Sequence, residues 1–238
     1  MILVDYSQVA LAAILTFQRE LKGDEAEVKN LIRHVTLSTL KSYKKKYGKE
    51  YGELVICCDG RKYWRREVFE HYKAGRKKAR DKSDLDWTLI FDTLNEMRQD
   101  IAEHFPYRVI HVDRAEADDI IATMTKWAQT NDLVMQGLVE EPQKVLILSS
   151  DKDFAQLQRF PNVEQYSPIL KKAIKEPFPL AQLKQLIIRG DKGDGIPNIL
   201  SADDCFVTAT RQKAITEAKI IGWMNQEPKD FCNDLMLR

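Results

Sequence analysis

A chain of 238 residues with 44% hydrophobic and 31% charged side chains can bury a substantial core and is too apolar for a disordered tail. The 37 Lys and Arg nearly balance 36 Asp and Glu, so any affinity for a polyanion must come from local clustering of charge. Cys57, Cys58, Cys205 and Cys232 form no C-x-x-C pair, which disfavours a zinc site or disulfide framework and suits a reducing cytoplasm. The early apolar stretch Val9 to Phe17 is far shorter than the roughly 20 residues that span a bilayer, and no basic segment precedes it, so neither secretion nor membrane insertion is expected.

In chain order, short β-branched runs alternate with longer amphipathic stretches, the pattern of an α/β domain with a mostly parallel sheet. Strands are predicted at Ile2 to Asp5, Leu54 to Asp59, Tyr107 to Val112 and Val145 to Ser149, with a shorter one at Val163 to Tyr166. Helices are predicted at Glu27 to Tyr47, Leu85 to Phe105 and Ala115 to Trp127, because apolar residues there recur at three- and four-residue spacing. Thr130 to Gln143 reads as a loop, interrupted by Asn131, Asp132, Gly137 and Pro142. After Arg189 the texture changes to Gly190, Gly193, Gly195 and Pro197, followed by helical patterns at Ala202 to Thr210 and Gln212 to Trp223.

Three of the predicted strands run straight into Asp5, Asp59 and Asp151. Ligands of open α/β sheets bind outside the carboxyl ends of the strands, so these carboxylates are expected to meet. Together with Glu116, Asp118, Asp119, Asp153, Asp191 and Asp194 they form a candidate set too negative to gather without compensation. Hard divalent cations with oxygen ligands are the usual answer, magnesium first. Two such ions suit phosphodiester displacement. Singly, each acid has an ordinary explanation, since Asp and Glu favour helix starts and turns anyway. The D-x-D at the end of the fourth strand, Asp151 and Asp153, is the better local signal.

From Arg61 to Lys82 the chain reads RKYWRREVFEHYKAGRKKARDK, ten basic residues against Glu67, Glu70 and Asp81. Such a run is commonly a solvated face. Here it follows Asp59 and Gly60 at a strand end, and Trp64, Phe69 and Tyr72 interleave with the cations, which suits phosphates beside stacked bases. Lys73 and Arg80, seven apart, share a face if the segment is one helix.

These motifs, LVDYSQ, CCDG, YWRREVFEHYKAGR, AEADD, SSDKDF and GDKGDGIPN, occur in the order found in the structure-specific 5′-nuclease superfamily. The chain resembles that superfamily, which includes flap endonucleases and the 5′-nuclease domains of bacterial DNA polymerase I, and within it the phage ribonuclease H type. The resemblance implies a PIN-like 5′-nuclease core at 1–189 that includes a basic helical arch at 61–83. It also implies a helix-turn-helix-like DNA-binding module at 190–238. Asp5, Asp59, Glu116 and Asp118 would surround one metal, and Asp151, Asp153, Asp191 and Asp194 the second, with Asp119 serving either site or capping its helix. By the same resemblance Asp5, Asp59, Asp118, Asp151, Lys73 and Arg80 are the catalytic set. Arg65, Arg66, Tyr72, Arg76, Lys77, Gly193 and Gly195 join Lys73 and Arg80 in holding nucleic acid.

The implied activity is magnesium-dependent 5′ to 3′ exonuclease and flap endonuclease cleavage of RNA primers and adjacent DNA during lagging-strand replication, leaving 5′-phosphate and 3′-hydroxyl. Manganese is the substitute metal, and potassium is expected at the 190–198 turn. The expected partners are RNA/DNA and DNA/DNA duplexes with 5′ ends or flaps, single-stranded-DNA-binding protein and a sliding clamp. A monomer in phage or bacterial host cytoplasm is expected, without membrane contact. Two departures from the family pattern stand out. IPNILSADD replaces a Gly-x-Gly after the Ile-Pro turn, and longer phage relatives carry more helices beyond the position of Arg238, so weakened duplex binding is expected. A PIN-like ribonuclease and an inactive DNA-junction binder are the alternative readings; the first has less use for YKAGR and GDKGDGIPN.

Overall fold

A computed structural model of the protein describes residues 1–138 and 142–226. Cys232, the end of the expected 190–238 module and residues 139–141 of the expected loop lie outside the described residues. In chain order the elements are β1 (Ile2–Asp5), α1 (Tyr6–Ile14), α2 (Glu25–Tyr51), β2 (Leu54–Cys58), α3 (Arg65–Val68), α4 (Ala74–Arg80), α5 (Trp87–His104), β3 (Arg108–His111), α6 (Ala117–Thr130) and α7 (Asp132–Met135). They continue with β4 (Val145–Leu148), a 3₁₀ helix (Lys152–Arg159), β5 (Val163–Ser167), β6 (Lys172–Ile174), α8 (Pro179–Arg189) and α9 (Glu217–Met224).

Two compact units emerge: residues 1–64 with 82–177, and 65–81 with the C-terminal segment from Phe178. The basic segment therefore groups with the C-terminal segment instead of the sheet, and the boundary falls after Pro177 where the sequence suggested Arg189. No described helix is long and apolar enough to cross a membrane.

The first unit is a six-stranded sheet in the order β3-β2-β1-β4-β5-β6, parallel except for β5 against β6. Strand polarity and register align Asp5 with Cys57 of β2 and Val4 with Leu148 of β4. β1, β2 and β4 are buried on both faces, which is why they read as continuous apolar runs. One face packs on α1, α2 and α5, using Ile32 and Leu40 from α2 and Ile90, Leu94, Met97 and Ile101 from α5. The other packs on α6 and the 3₁₀ helix through Ile120, Ile121, Phe154 and Leu157. Consecutive residues of β2 point to opposite layers: Cys58 enters the first core and Cys57 the second. Arg33 of α2 clamps α5 through Glu96 at 2.8 Å and Asp100 at 2.7 Å. The Asp24 side chain caps α2 by accepting from the amides of Ala26 and Glu27, an arrangement worth about 1 kcal/mol.

In the second unit, α8 and α9 share a small core of Ile188, Ile220 and Trp223. The stretch between them is tied by the buried Asn198. Its amide hydrogen goes to Gln212 Oε1 and its Nδ2 to the Lys213 carbonyl, while its Oδ1 accepts from the Leu200 amide and the Ser201 hydroxyl.

Several expectations need correction. Residues 202–216 hold turns and irregular chain, and the helix expected from Gln212 begins only at Glu217. A helix-turn-helix requires a second helix soon after the 190–198 turn, and the described residues place none there. The basic segment is not one helix: Val68 ends α3, and Lys73 stands outside α4 with left-handed backbone at φ 56°. That breaks the shared helical face expected of Lys73 and Arg80. Within Thr130 to Gln143, α6 extends to Thr130 and α7 follows. The sequence reading did not anticipate α1, α8 or the antiparallel β6.

Candidate metal and phosphate sites

The strand order reverses at β1: β2 and β3 lie on one side and β4 and β5 on the other. Such a switch point opens a crevice at the carboxyl ends of the strands. Asp5 ends β1, Asp59 follows β2 directly, and Asp151 follows β4 after Ser149 and Ser150. Neighbouring strands lie about 4.8 Å apart, so carboxylates on three adjacent strand ends are forced close.

Asp5 is buried. Its Oδ2 lies 2.9 Å from the Ser149 hydroxyl, and its Oδ1 accepts from the Gln8 amide at 3.3 Å. Burial is the main cause that pushes its pKa up to about 7, with the Asp59 and Asp151 carboxylates adding repulsion against the two stabilising hydrogen bonds. Asp59 Oδ1 accepts from the Ala117 amide at 2.9 Å, which fixes the start of α6 to the end of β2. Gly60 permits that approach: a Cβ there would lie 2.8 Å from the Ala115 carbonyl oxygen.

At the start of α6, Glu116 and Asp119 form a reciprocal capping box, with Asp119 Oδ2 accepting from the Glu116 amide at 2.9 Å. Asp119 Oδ2 also accepts from the Trp64 indole at 3.2 Å. Asp119 thus caps its helix, one of its two expected roles. Glu116 is buried and Asp118 half-buried in the same turn. Asp151 caps the 3₁₀ helix by accepting from the Asp153 amide at 2.9 Å.

Three supporting residues were missed in the sequence. Gln165 of β5, fully buried, donates to the carbonyls of Ser149 at 3.0 Å and Asp151 at 2.7 Å, clamping the loop that carries Asp151. Gln8 Oε1 accepts from the Ser150 amide, and Ser149 bridges β4 to Asp5. Ser149 and Gln8 stand inside the motifs SSDKDF and LVDYSQ, which was their available signal; Gln165 had none. The structure therefore brings Asp5, Asp59, Glu116, Asp118, Asp151 and Asp153 to one edge of one sheet. An all-oxygen donor set, with a buried carboxylate forced towards protonation, fits a hard divalent cation.

In the second unit, Asp191 organises the glycine-rich turn. Its amide donates to the Ile196 carbonyl at 2.8 Å and the Ile196 amide returns the bond at 2.8 Å, while its Oδ1 accepts from the Gly193 amide at 2.7 Å. The Gly195 amide donates to the Lys192 carbonyl at 3.3 Å. Gly193 and Gly195, expected to offer amides to phosphate, spend them inside the turn. Gly190 has φ 69°, and a Cβ there would lie 2.4 Å from the Ile196 and Pro197 backbone.

Tyr72 corrects another expectation. It is buried, donates its hydroxyl to Asp194 Oδ2 at 3.2 Å and carries the Lys73 ammonium 4.8 Å above its ring, so it presents no open face for a base. Arg66, Arg76, Lys77 and Arg80 are exposed, while Arg65 is half-buried and Lys73 buried.

Residues 1–184 match the family described as 5'-3' exonuclease, N-terminal resolvase-like domain. The chain belongs to that family. Ribonuclease H of Enterobacteria phage T4 is 34% identical over 213 residues, which cover 87% of this chain and 65% of the phage protein. Flap endonuclease Xni of Shewanella sediminis is 32% identical over 144 residues, 57% of this chain and 49% of its own. The chain thus spans about half to two thirds of the length of these relatives. Among solved structures, the T5 D15 protein crystallised with metal ions aligns with a TM-score of 0.60 at 16% identity, over 99% of this chain and 87% of that one. At that identity the likeness establishes a common fold. The sheet with flanking helices described above is that fold.

Proposed function

We propose that this family member is a divalent-metal-dependent 5′-nuclease. It removes RNA primers and adjacent DNA from 5′ ends and flaps of duplexes, leaving 5′-phosphate and 3′-hydroxyl, and it serves lagging-strand replication in a phage or bacterial host cytoplasm. The observation that carries the reading is the convergence of Asp5, Asp59, Glu116 and Asp151 at the switch point of the sheet. Asp5, Asp59, Glu116 and Asp118 would hold one ion, and Asp151 and Asp153 contribute to a second. The chemistry supplied by bound magnesium, or manganese in its place, is electrostatic: neutralisation of the scissile phosphate and of the attacking and leaving oxygens.

The protein's own residues do the positioning. Ser149 and the Gln8 amide orient Asp5, Gln165 fixes the loop of Asp151, and the first turn of α6 is tied to Asp59. Lys73 and Arg80 neutralise phosphate, assisted by Arg65, Arg66, Arg76 and Lys77, whose exposed members give sequence-independent contacts. Duplex binding is assigned to the segment after Arg189, with potassium on the 190–198 turn. A single-stranded-DNA-binding protein, a clamp and a monomeric state complete the proposal.

The test is cleavage of matched 5′-flap, nicked and RNA-primed duplexes in magnesium and in EDTA. Release of short 5′ products in magnesium alone is expected. Internal cutting of single-stranded RNA in preference to these duplexes, or tight junction binding with no cleavage, would overturn it.

A further inference from the structure

Three aromatic residues interleave with the cations of the 61–82 segment, and the fold gives each different surroundings. Tyr72 is buried with the Lys73 ammonium over its ring, and Phe69 is half-buried with its ring perpendicular to His71, the centroids 5.6 Å apart. Trp64 keeps 43% of its surface exposed and is nevertheless held in place. Its indole Nε1 donates to Asp119 Oδ2 at 3.2 Å and its amide donates to the Arg114 carbonyl at 3.0 Å. Four residues earlier the Gly60 amide donates to the Ala115 carbonyl at 2.7 Å, and Asp59 Oδ1 accepts from the Ala117 amide at 2.9 Å. The loops that follow β2 and β3 are therefore zipped together, with Trp64 at the far end of the zip.

The carboxylate that orients the indole also accepts from the Glu116 amide, in the turn that carries Glu116 and Asp118. Trp64 is thus fixed beside two of the groups assigned to the first metal. A single exposed tryptophan ordinarily needs no explanation; this one is distinguished by a fixed orientation at that place. Unscreened acids repel a nucleic-acid backbone, whereas a neutral indole attracts any base through its π-face. Arg61, Lys62 and Arg114, exposed on the same two loops, supply charge for the phosphates on either side of such a base. A ring oriented before its ligand arrives gives up little side-chain freedom on binding.

We propose that Trp64 is a substrate-binding residue that stacks on the base next to the scissile phosphate and so sets the register in which the strand enters the metal site. The proposal rests on the nuclease reading for the identity of that strand. Stacking of this kind tolerates every base, so what Trp64 reads is the presence of a base and not its sequence.

The test compares full-length parent, Trp64→Phe and Trp64→Leu on 5′-flap duplexes carrying 2-aminopurine, in turn, on either side of the flap junction. With saturating protein in EDTA, the parent is expected to quench one of the two probes about twofold or more, Trp64→Phe to keep most of the quenching and Trp64→Leu to lose it. In magnesium, Trp64→Leu is expected to slow single-turnover cleavage about 5- to 100-fold, the size of one lost stack, while Trp64→Phe stays within about threefold of the parent. An abasic site in place of the quenched base slows the parent to the same degree and brings it within about twofold of Trp64→Leu, because the two changes remove one contact. Equal losses on intact and abasic duplexes, or Trp64→Phe as impaired as Trp64→Leu, would reduce Trp64 to a staple between two loops and overturn the proposal, as would bright 2-aminopurine at both positions. Parent protein without cleavage would sink the nuclease reading instead, and the quenching in EDTA would still decide the stack.

Discussion

The two units handle charge in opposite ways. At the edge of the sheet, like charges are held together by neutral donors, the Ser149 hydroxyl and the amides of Gln8 and Ala117, on the ends of rigid strands. In the segments 71–76 and 190–198, opposite charges match one another on irregular backbone with Lys73, Gly190 and Gly195 at positive φ. The difference teaches where electrostatic strain can be stored. A parallel sheet buried on both faces can hold neighbouring carboxylates at the ends of its strands, whereas a glycine-rich turn answers its charge locally.

The most severe way to break this contrast is to remove carboxylates from the strand ends. Asp59→Asn and Asp151→Asn are each expected to slow single-turnover cleavage of a 5′-labelled primed duplex by about 10²- to 10³-fold without unfolding. Rates within threefold of the parent would sink the metal assignment.

A second experiment asks whether the strain at the sheet edge is real. Because the folded pKa of Asp5 is raised to about 7, the folded state favours its protonated form. The stability that depends on it is complete below about pH 4 and is lost as pH rises through 7. In chelator at pH 8, Asp5→Asn is therefore expected to be more stable than the parent by about 2–4 kcal/mol, the gap closing towards pH 4. Parallel stability curves across that range in urea melts would remove the strain from the account.

The third sharpens the other side. Gly190→Ala meets backbone at 2.4 Å with φ 69° and is expected to cost about 3 kcal/mol, whereas Gly193→Ala, whose nearest neighbour is the Asp191 side chain at 3.2 Å, costs less than about 1 kcal/mol. Equal urea midpoints for the two would mean that the turn is not the constrained element described.

Much of the first unit was legible in the sequence. Buried parallel strands are written as apolar runs, so β1, β2 and β4 were found to within a residue at their ends, and each aspartate beyond a strand end followed from topology. The long helices α2, α5 and α6 announced themselves by spacing. What escaped was tertiary or brief. Gln165 became a clamp only because β5 lies beside β4, and β6 has three residues with Lys172 among them, too short for an alternating signal. α1 was hidden because YSQVALAAI is short and mostly apolar, with no regular polar face to mark its period, although Asp5 before it is a cap. For α8 the proline at its first position was a usable sign. In the second unit, local pattern misled: the periodicity at 202–216 was overridden by Asn198 gathering that stretch into turns, and the left-handed Lys73 split a segment whose charges alone suggested one helix.

The adjacent thiols at the carboxyl end of β2 carry a practical consequence. Cys57 and Cys58 face opposite layers, and burial holds both far from thiolate formation, Cys58 at about 12. Neither can be alkylated while the sheet is closed, so the chain has an interior pair of clocks, one on each side of the same strand. Peptide-resolved labelling would show whether the two layers breathe together or peel apart one at a time.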